Sequence, residues 1–322
     1  MFNERVYCQI CINPVSLEKP TGVTDIQPRC GTCEQALREM PNREIFDQEL
    51  EDFLSNNSKI VYAYSGGLDS TVVLVRLADE CRRRGIDLKL FTIETGVKGR
   101  VTAENIRSVV SFLHLEQNHR LIDIADQLQT SSTVLGVTGE PVSTLEVYAK
   151  CRQEGTLPCG KICNSIMDAK YKEIMRDEGV TVLVTGGDTP KRNSDGRYSL
   201  YWEKPSGIII FRGGYAFALT KRGNKNFILE NEVPWIDPNC GGYDTDCLVP
   251  GVFFADAFDH QASQDPEAVI ERYPIILEYL AERARFGVID REDALMMLGQ
   301  VEIASPETYQ ELATIFGNMK RC

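Results

Sequence analysis

The sequence predicts an α/β protein whose core is a five-stranded parallel sheet with helices on both faces, of the Rossmann-like type. A four-cysteine module precedes this core, and a helical segment follows it. Between residues 59 and 211, short apolar runs alternate with segments of helical periodicity, and this alternation is typical of parallel sheets. Glycine-rich segments follow four of the strands, whereas beyond about residue 256 the pattern is helical only.

These patterns divide the chain into three parts: residues 1–42, 43–255 and 256–322. Hydrophobic periodicity separates strands from helices within them. The predicted strands are 59–64, 88–93, 120–124, 180–185 and 207–211. The predicted helices of the core are 43–53, 69–84, 103–115, 144–152 and 164–178.

Composition narrows the class of protein. The chain has 322 residues and a net charge of −12, and an acidic surface argues against a large nucleic-acid substrate, whose phosphates it repels. No apolar run reaches the ~18 residues of a membrane span, and the first residues lack the pattern of a signal peptide. We therefore expect a cytoplasmic protein without a membrane partner. Eleven cysteines in such a protein point to metal or redox chemistry.

The first four cysteines have the spacing of a metal site. They form two CxxC pairs eighteen residues apart: Cys8, Cys11, Cys30 and Cys33. Each pair can turn two thiolates toward one tetrahedral ion, so the spacing predicts structural zinc. Such a closed site stabilises the fold and takes no part in catalysis. We accordingly expect nucleotide binding by the core to survive its loss.

Later cysteines form two further groups, Cys159 with Cys163 and Cys240 with Cys247. Cys159 and Cys163 are four positions apart, which places them on one face if a helix begins after Pro158. They could hold an iron–sulfur cluster with one or two thiolates from the second group. They could also form a redox pair that carries a persulfide, or be buried structural cysteines.

The glycine-rich segments should meet at one edge of the sheet. They are residues 65–70, 94–96, 186–188 and 212–214, and each follows a predicted strand. Ligands of parallel α/β sheets bind at the carboxyl ends of the strands, where the strand order reverses. Four such segments at one edge predict a binding site.

The segment at 65–70 has the chemistry of a phosphate-binding loop. Its sequence is Ser65-Gly66-Gly67-Leu68-Asp69-Ser70. Glycines let backbone N–H groups approach an anion, the two serine hydroxyls donate hydrogen bonds, and a helix beginning at Asp69 directs its positive end toward the phosphates. The GKS/T ending of a Walker A loop is absent. A carboxylate beside a phosphate chain requires a cation, which assigns Mg²⁺ to Asp69.

This hexapeptide resembles the SGGxDS signature of the PP-loop (N-type) ATP pyrophosphatases, and the likeness extends over about residues 58–250. The resemblance implies that ATP is cleaved to AMP and pyrophosphate while a carbonyl oxygen is adenylated. It also implies that the end of the second strand contacts the adenine and that Asp188 acts at the site. The implied nucleotide-binding residues are Tyr64, Ser65, Gly66, Gly67, Asp69, Ser70, Thr71, Thr92, Glu94, Gly96 and Gly186.

Within that superfamily the chain looks similar to the TtuA-like and TtcA-like tRNA thiolation enzymes. The resemblance implies a [4Fe-4S] cluster on Cys159, Cys163 and one of Cys240 or Cys247, which would make Cys159 and Cys163 catalytic together with Asp69 and Asp188. The first pair is CxxxC here, one residue longer than the CxxC of those enzymes. A persulfide on the cysteine pair remains the alternative to a cluster.

The predicted function is an ATP-dependent sulfurtransferase that replaces a carbonyl oxygen of a small molecule or nucleotide, for example a 6-oxopurine. Sulfide or a sulfur-donor protein would be its partner. The alternatives are a tRNA thiolation enzyme and an ammonia-using amidotransferase of the N-acetyl-sugar type, which also begins with four cysteines but needs none of the later ones. The helical segment would shape the substrate pocket, form a homodimer interface or do neither.

Overall fold

The computed structural model describes residues 6–15, 29–125, 134–135, 141–142, 163–217, 220–238, 247, 274–299 and 314. The helices are α1 (Gly31–Glu39), α2 (Arg43–Asn56), α3 (Leu68–Arg84), α4 (Arg100–Phe112), α5 (Cys163–Glu178), α6 (Gly213–Ala216), α7 (Lys221–Glu230), α8 (Pro274–Arg285) and α9 (Arg291–Gly299). The strands are β1 (Val6–Tyr7), β2 (Pro14–Val15), β3 (Lys59–Ala63), β4 (Asp87–Glu94), β5 (His119–Asp123), β6 (Val134–Leu135), β7 (Pro141–Val142), β8 (Val182–Thr185), β9 (Lys191–Arg192), β10 (Tyr198–Ser199), β11 (Tyr201–Glu203) and β12 (Ile209–Arg212).

The main sheet has the strand order β11-β12-β8-β3-β4-β5. Strands β12, β8, β3, β4 and β5 pair in parallel, which confirms the five predicted strands. The sequence did not indicate β11, which adds an antiparallel sixth strand at the edge beside β12. It is three residues long, too short for a period-two pattern to be read from sequence.

Helices cover both faces of the sheet. On one face, side chains of α2, α3 and α4 pack with Ile60 and Tyr62 of β3 in one large apolar cluster. On the other face, the ring of Phe91 in β4 meets that of Tyr171 in α5 edge-on, at 5.8 Å between centroids. Because β3 alternates its side chains between these two covered faces, it reads as a continuous apolar run, and its middle residues are buried.

The strand order reverses next to β3. Strands β4 and β5 follow on one side of it, while β8 and β12 lie on the other. The carboxyl ends of β3 and β8 are therefore neighbours at the switch point, where α/β sheets bind ligands. Helix α3 begins five residues after β3 ends, and Gly85 caps its carboxyl end with a left-handed φ of 70°.

The cysteine module and the C-terminal helices share one apolar cluster. Cys8, Cys11 and Cys33 are packed there with Leu280 and Ala284 of α8, and with side chains of α9. The sequence placed these two segments in separate domains, and the three-part division stays a prediction. Helices α8 and α9 agree with the helical pattern expected beyond residue 256, whereas the expected helix at 144–152 lies outside the described residues.

In the described part of the chain, no helix combines the length and apolar character needed to cross a membrane.

Candidate functional site

The loop between β3 and α3 contains a residue, Gly66, whose backbone conformation only glycine adopts easily. Gly66 has a φ of 90°. A Cβ there would lie 2.6 Å from Cγ1 of Ile106, closer than real Cβ atoms approach. Helix α4 therefore packs directly on the loop, and the indole of Trp235 donates a hydrogen bond of 3.0 Å to the carbonyl of Gly66. The loop is thus fixed from two sides.

Hydroxyl groups organise the amino end of α3. Ser65 Oγ donates to Ser70 Oγ at 2.9 Å, and the N–H of Gly67 points to Ser65 Oγ at 3.4 Å. Ser70 and Thr71 both hydrogen-bond the carbonyl of Gly67 at 2.9 Å. These bonds set the turn that exposes the first N–H groups of α3, the groups that can bind an anion.

The loop after β8 lies against this turn. A Cβ on Gly186 would lie 2.9 Å from Cα of Ser70, and one on Gly214 would lie 2.6 Å from the carbonyl oxygen of Gly186. Glycine at these positions lets three backbone segments meet closely. The structure therefore brings the predicted segments 65–70, 186–188 and 212–214 to one edge of the sheet, as expected.

The end of β4 joins the site through Thr92. Its buried hydroxyl donates to the carbonyl of Tyr64 at 2.8 Å and lies 3.0 Å from Nε2 of His119. Tyr64 is itself buried and bonds Thr71 through its hydroxyl at 3.0 Å. The side chains of Tyr64, Thr71 and Thr92 thus support the loop from inside the protein.

Glu94 accepts a hydrogen bond of 2.7 Å from the N–H of Gly96, whose φ is 77°. The predicted adenine-binding segment therefore forms a tight turn at the end of β4. Lys98, which follows it, donates to the carbonyl of Ser65 at 2.9 Å. This lysine lies at the loop, whereas Lys191 and Arg192 pair with Glu282 and Glu39.

Asp69 and Asp188, the two carboxylates predicted for the site, lie around one lysine. Lys221, at the start of α7, contacts Oδ2 of Asp69, and its Nζ lies 3.5 Å from Oδ2 of Asp188. Asn224 donates from Nδ2 to the other oxygen of Asp69 at 2.6 Å. The two acidic residues therefore lie close together in the structure.

Arg283 of α8 completes this cluster. Its Nε and Nη2 donate to the two oxygens of Asp188 at 2.8 and 3.0 Å, and its guanidinium lies 3.3 Å from the ring centroid of Tyr279. Arg212 at the end of β12 is also close, with its Nε on the carbonyl of Thr189 at 2.9 Å. Bidentate pairing of this kind fixes both partners.

The charged neighbours in this cluster favour the ionised forms of Asp188 and Lys221. Burial opposes ionisation of Asp188, but Arg283, Lys221 and Arg212 outweigh it and lower the pKa of this carboxyl. Burial likewise opposes the charge of Lys221, yet Asp69 and its neighbours raise the pKa of the ammonium. Two carboxylates and three cations therefore form a charged centre beside the glycine-rich loops.

Sequence reasoning missed Lys221, Asn224 and Arg283. Lys221 follows Thr220, a helix N-cap that accepts a hydrogen bond of 2.9 Å from the N–H of Gly223, and the segment T-K-R-G-N-K carries that capping signal. Arg283 could not have been found this way, since it comes from a helix almost one hundred residues further along the chain than Asp188.

The four N-terminal cysteines converge as predicted. Their sulfur atoms all lie within 4.8 Å of one another, and Cys11 and Cys30 are 3.6 Å apart. Backbone N–H groups support them: that of Cys30 points to Cys8 Sγ at 3.3 Å, and that of Asn13 to Cys11 Sγ at 3.4 Å. The hydrogen bond that Cys11 and Cys33 share lowers the pKa of the Cys11 thiol and raises that of the Cys33 thiol. The group can therefore hold a metal ion.

The later cysteines are described only in part. Cys163 is the first residue of α5, the helix that leads to β8 and on to Asp188, and Cys247 is half-buried. Cys159 and Cys240 lie outside the described residues. The ligand set of the expected iron–sulfur cluster therefore stays a prediction.

No protein-family model matches the chain, but two known proteins are among those similar to it. The uncharacterized protein MJ1599 of Methanocaldococcus jannaschii is 24% identical over 313 residues, which are 95% of this chain and 97% of that protein. The U34-tRNA thiolase NcsA from Methanococcus maripaludis, solved with its [4Fe-4S] cluster, is 15% identical, with a TM-score of 0.45 over 92% of this chain and 89% of that one.

Proposed function

We propose that the protein is an ATP pyrophosphatase-type sulfurtransferase, which adenylates a carbonyl oxygen and then replaces that oxygen with sulfur. The observation that carries the proposal is the loop at 65–70. It lies at the switch point of the sheet and at the amino end of α3, beside the charged centre of Asp69 and Asp188. A phosphate chain can bind backbone N–H groups there and meet cations at the same place.

In the first step, the acceptor's carbonyl oxygen attacks the α-phosphorus of ATP and the bond to the β-phosphate breaks, which releases pyrophosphate. The N–H groups at the start of α3 hold the phosphates, with the hydroxyls of Ser65 and Ser70 beside them. Asp69 would hold Mg²⁺, since carboxylate oxygens suit this ion. Lys221 and Arg283 offset the negative charge that pyrophosphate carries away.

In the second step, a sulfur nucleophile attacks the adenylated carbon, and AMP leaves with the former carbonyl oxygen. Cys159, Cys163, Cys240 and Cys247 are the residues proposed to deliver sulfur. The position of Cys163 at the start of α5 supports the assignment, because this helix leads into the strand that ends next to Asp188. Three of the four could hold a [4Fe-4S] cluster, which would supply an iron that binds sulfide.

The acceptor that we propose is a small molecule or nucleotide with an amide-like carbonyl, such as a 6-oxopurine. The net charge of −12 supports this choice, because an acidic protein repels the phosphates of a long RNA. A tRNA substrate is the alternative, and assays with both acceptors separate the two.

We propose that the four-cysteine cluster holds Zn²⁺. Zinc binds thiolates at ~2.3 Å, so four tetrahedral ligands should lie ~3.8 Å apart. The separation of 3.6 Å between Cys11 and Cys30 fits this geometry. Such a site stabilises the surrounding fold.

Product analysis tests the function. With ATP, sulfide and a 6-oxopurine nucleotide or bulk tRNA, the protein should form AMP and pyrophosphate, together with an acceptor in which sulfur replaces oxygen. Asp69→Asn should lower the rate of AMP formation by about 100-fold or more, because it removes the charge that holds the cation. Asp79→Asn is the matched control, since Asp79 is an exposed residue of the same helix. Formation of ADP and phosphate instead would contradict the proposal.

A further inference from the structure

One lysine bridges the two carboxylates of the site. Two contacts fix the backbone of Lys221. Thr220 caps the helix that begins at Lys221, and the N–H of Lys221 donates to the carbonyl of Val288 at 2.9 Å. From this fixed position, the ammonium contacts Asp69 and approaches Asp188. The side chain is the movable part, since four methylene groups separate the charge from the backbone.

The other cation on Asp188 is far less able to move. Arg283 donates hydrogen bonds from two nitrogen atoms to the two oxygens of that carboxylate, and its guanidinium also stacks on the ring of Tyr279. Lys221 makes single contacts to each carboxylate instead. Because a divalent cation at Asp69 would contact the carboxylate oxygens that face Lys221, the ammonium and the cation compete for this carboxylate.

Asn224 supplies a second, independent sign of a cation at Asp69. Its Nδ2 donates to Asp69 at 2.6 Å, which fixes the orientation of the amide, because the reverse orientation would bring two oxygens together. The side-chain oxygen is then buried, and it has no hydrogen-bond partner within the described residues. Asn224 is 5% exposed. A buried amide oxygen beside a carboxylate is a ligand that hard cations accept.

We propose that Lys221 is an exchangeable counter-ion of the nucleotide site. It neutralises Asp69 and Asp188 until Mg²⁺ arrives with ATP; Mg²⁺ then binds Asp69 and the side-chain oxygen of Asn224, and the displaced ammonium turns to the phosphates. This inference rests on the proposed function, because it takes ATP to be the ligand. It assigns Lys221 two opposite effects: it weakens binding of the cation alone and strengthens binding of the nucleotide.

The test uses Lys221→Met, which keeps the length of the side chain and removes its charge. Mn²⁺ serves as a paramagnetic substitute for Mg²⁺, and its binding to the full-length protein is measured without nucleotide. We expect Lys221→Met to bind Mn²⁺ about tenfold more tightly and Mg²⁺-ATP about tenfold more weakly, since each change removes roughly one charge-assisted contact. Lys225→Met is the matched control, because Lys225 lies one turn further along α7 and is exposed.

Tighter Mn²⁺ binding cannot result from a folding defect, so this readout separates a counter-ion from a structural lysine. Lys221→Arg keeps the charge and should leave Mn²⁺ affinity near that of the wild type. Unchanged or weaker Mn²⁺ binding by Lys221→Met would overturn the inference. The Mn²⁺ measurement needs no turnover. The proposed function fails if the wild type forms no AMP, whereas the inference about Lys221 fails only on the Mn²⁺ affinities. The two failures are therefore distinguishable.

Discussion

Arg283 and Arg285 lie two positions apart on helix α8 and contact two different sites. Arg283 binds the carboxylate of Asp188 at 2.8 and 3.0 Å, and Nε of Arg285 lies 3.4 Å from the sulfur of Cys33. Apolar side chains of the same helix, such as Leu280 and Ala284, pack on the cysteine cluster. The metal module and the proposed nucleotide site are therefore joined by one helix.

This connection changes what we expect from metal removal. The sequence suggested that nucleotide binding would survive loss of the metal, but the structure places Arg283 on a helix that the cysteines help to hold. Cys8→Ser should release one metal ion per chain and weaken Mg²⁺-ATP binding by about tenfold or more, because Asp188 loses a fixed partner. Metal content is measured by mass spectrometry and affinity by calorimetry.

Cys81→Ala is the control for this experiment, because Cys81 is a buried cysteine of α3 outside the cluster. It should keep the metal. Loss of metal with unchanged ATP affinity would show that α8 keeps its position without the cysteine site.

A second prediction concerns the stability of the protein at low pH. The neighbouring cations, opposed by burial, lower the pKa of Asp188, so this residue contributes stability above its unfolded pKa of ~3.9. That contribution is lost as the pH falls through the still lower folded pKa. Asp188→Asn should cost about 3–5 kcal/mol of unfolding free energy at pH 7, because it leaves Arg283 buried without its anion.

The deficit of Asp188→Asn should therefore shrink below about pH 4, measured by urea unfolding of both proteins across the acid range. Asp79→Asn, at an exposed site, should show almost no deficit at any pH. A deficit for Asp188→Asn that is the same at pH 7 and in acid would contradict an ionised Asp188 as its cause.

A third prediction concerns Gly66. It distinguishes the effect of backbone strain on stability from the effect of a steric clash on ATP binding. Gly66→Ala should cost about 1–3 kcal/mol of stability and abolish measurable ATP binding, because the new Cβ would lie 2.6 Å from Ile106 and displace the loop. Gly85→Ala is the matched control: its φ is also positive, at 70°, but nothing lies within 4 Å of a Cβ there. It should lose stability of similar size and still bind ATP. Equal binding by both variants would show that the loop tolerates the displacement.

The sequence predicted the parts of the fold that depend on local pattern. Strands β3, β4, β8 and β12 were recognisable because buried parallel strands are apolar runs, whereas the edge strand β5 is largely exposed. The carboxyl-end rule brought Asp69 and Asp188 together. Other features were not predicted, among them the antiparallel β11, for which three residues carry too little pattern, and Arg283, whose place at Asp188 depends on long-range packing. The four cysteines were predictable because metal-ligand spacing is itself local.

The last prediction concerns how sulfur is delivered. Purified without oxygen, the protein should contain iron and acid-labile sulfide, because Cys159, Cys163 and one of Cys240 or Cys247 can provide three thiolates to a cluster. A persulfide on one cysteine, resolved by its neighbour as a disulfide, needs no iron, so iron and sulfide counts distinguish the two routes. Cys159→Ala with Cys163→Ala should remove thiolation in either case, while zinc and ATP binding persist. Thiolation retained by this double variant would exclude both routes, and incorporation of ammonia in place of sulfur would then identify an amidotransferase.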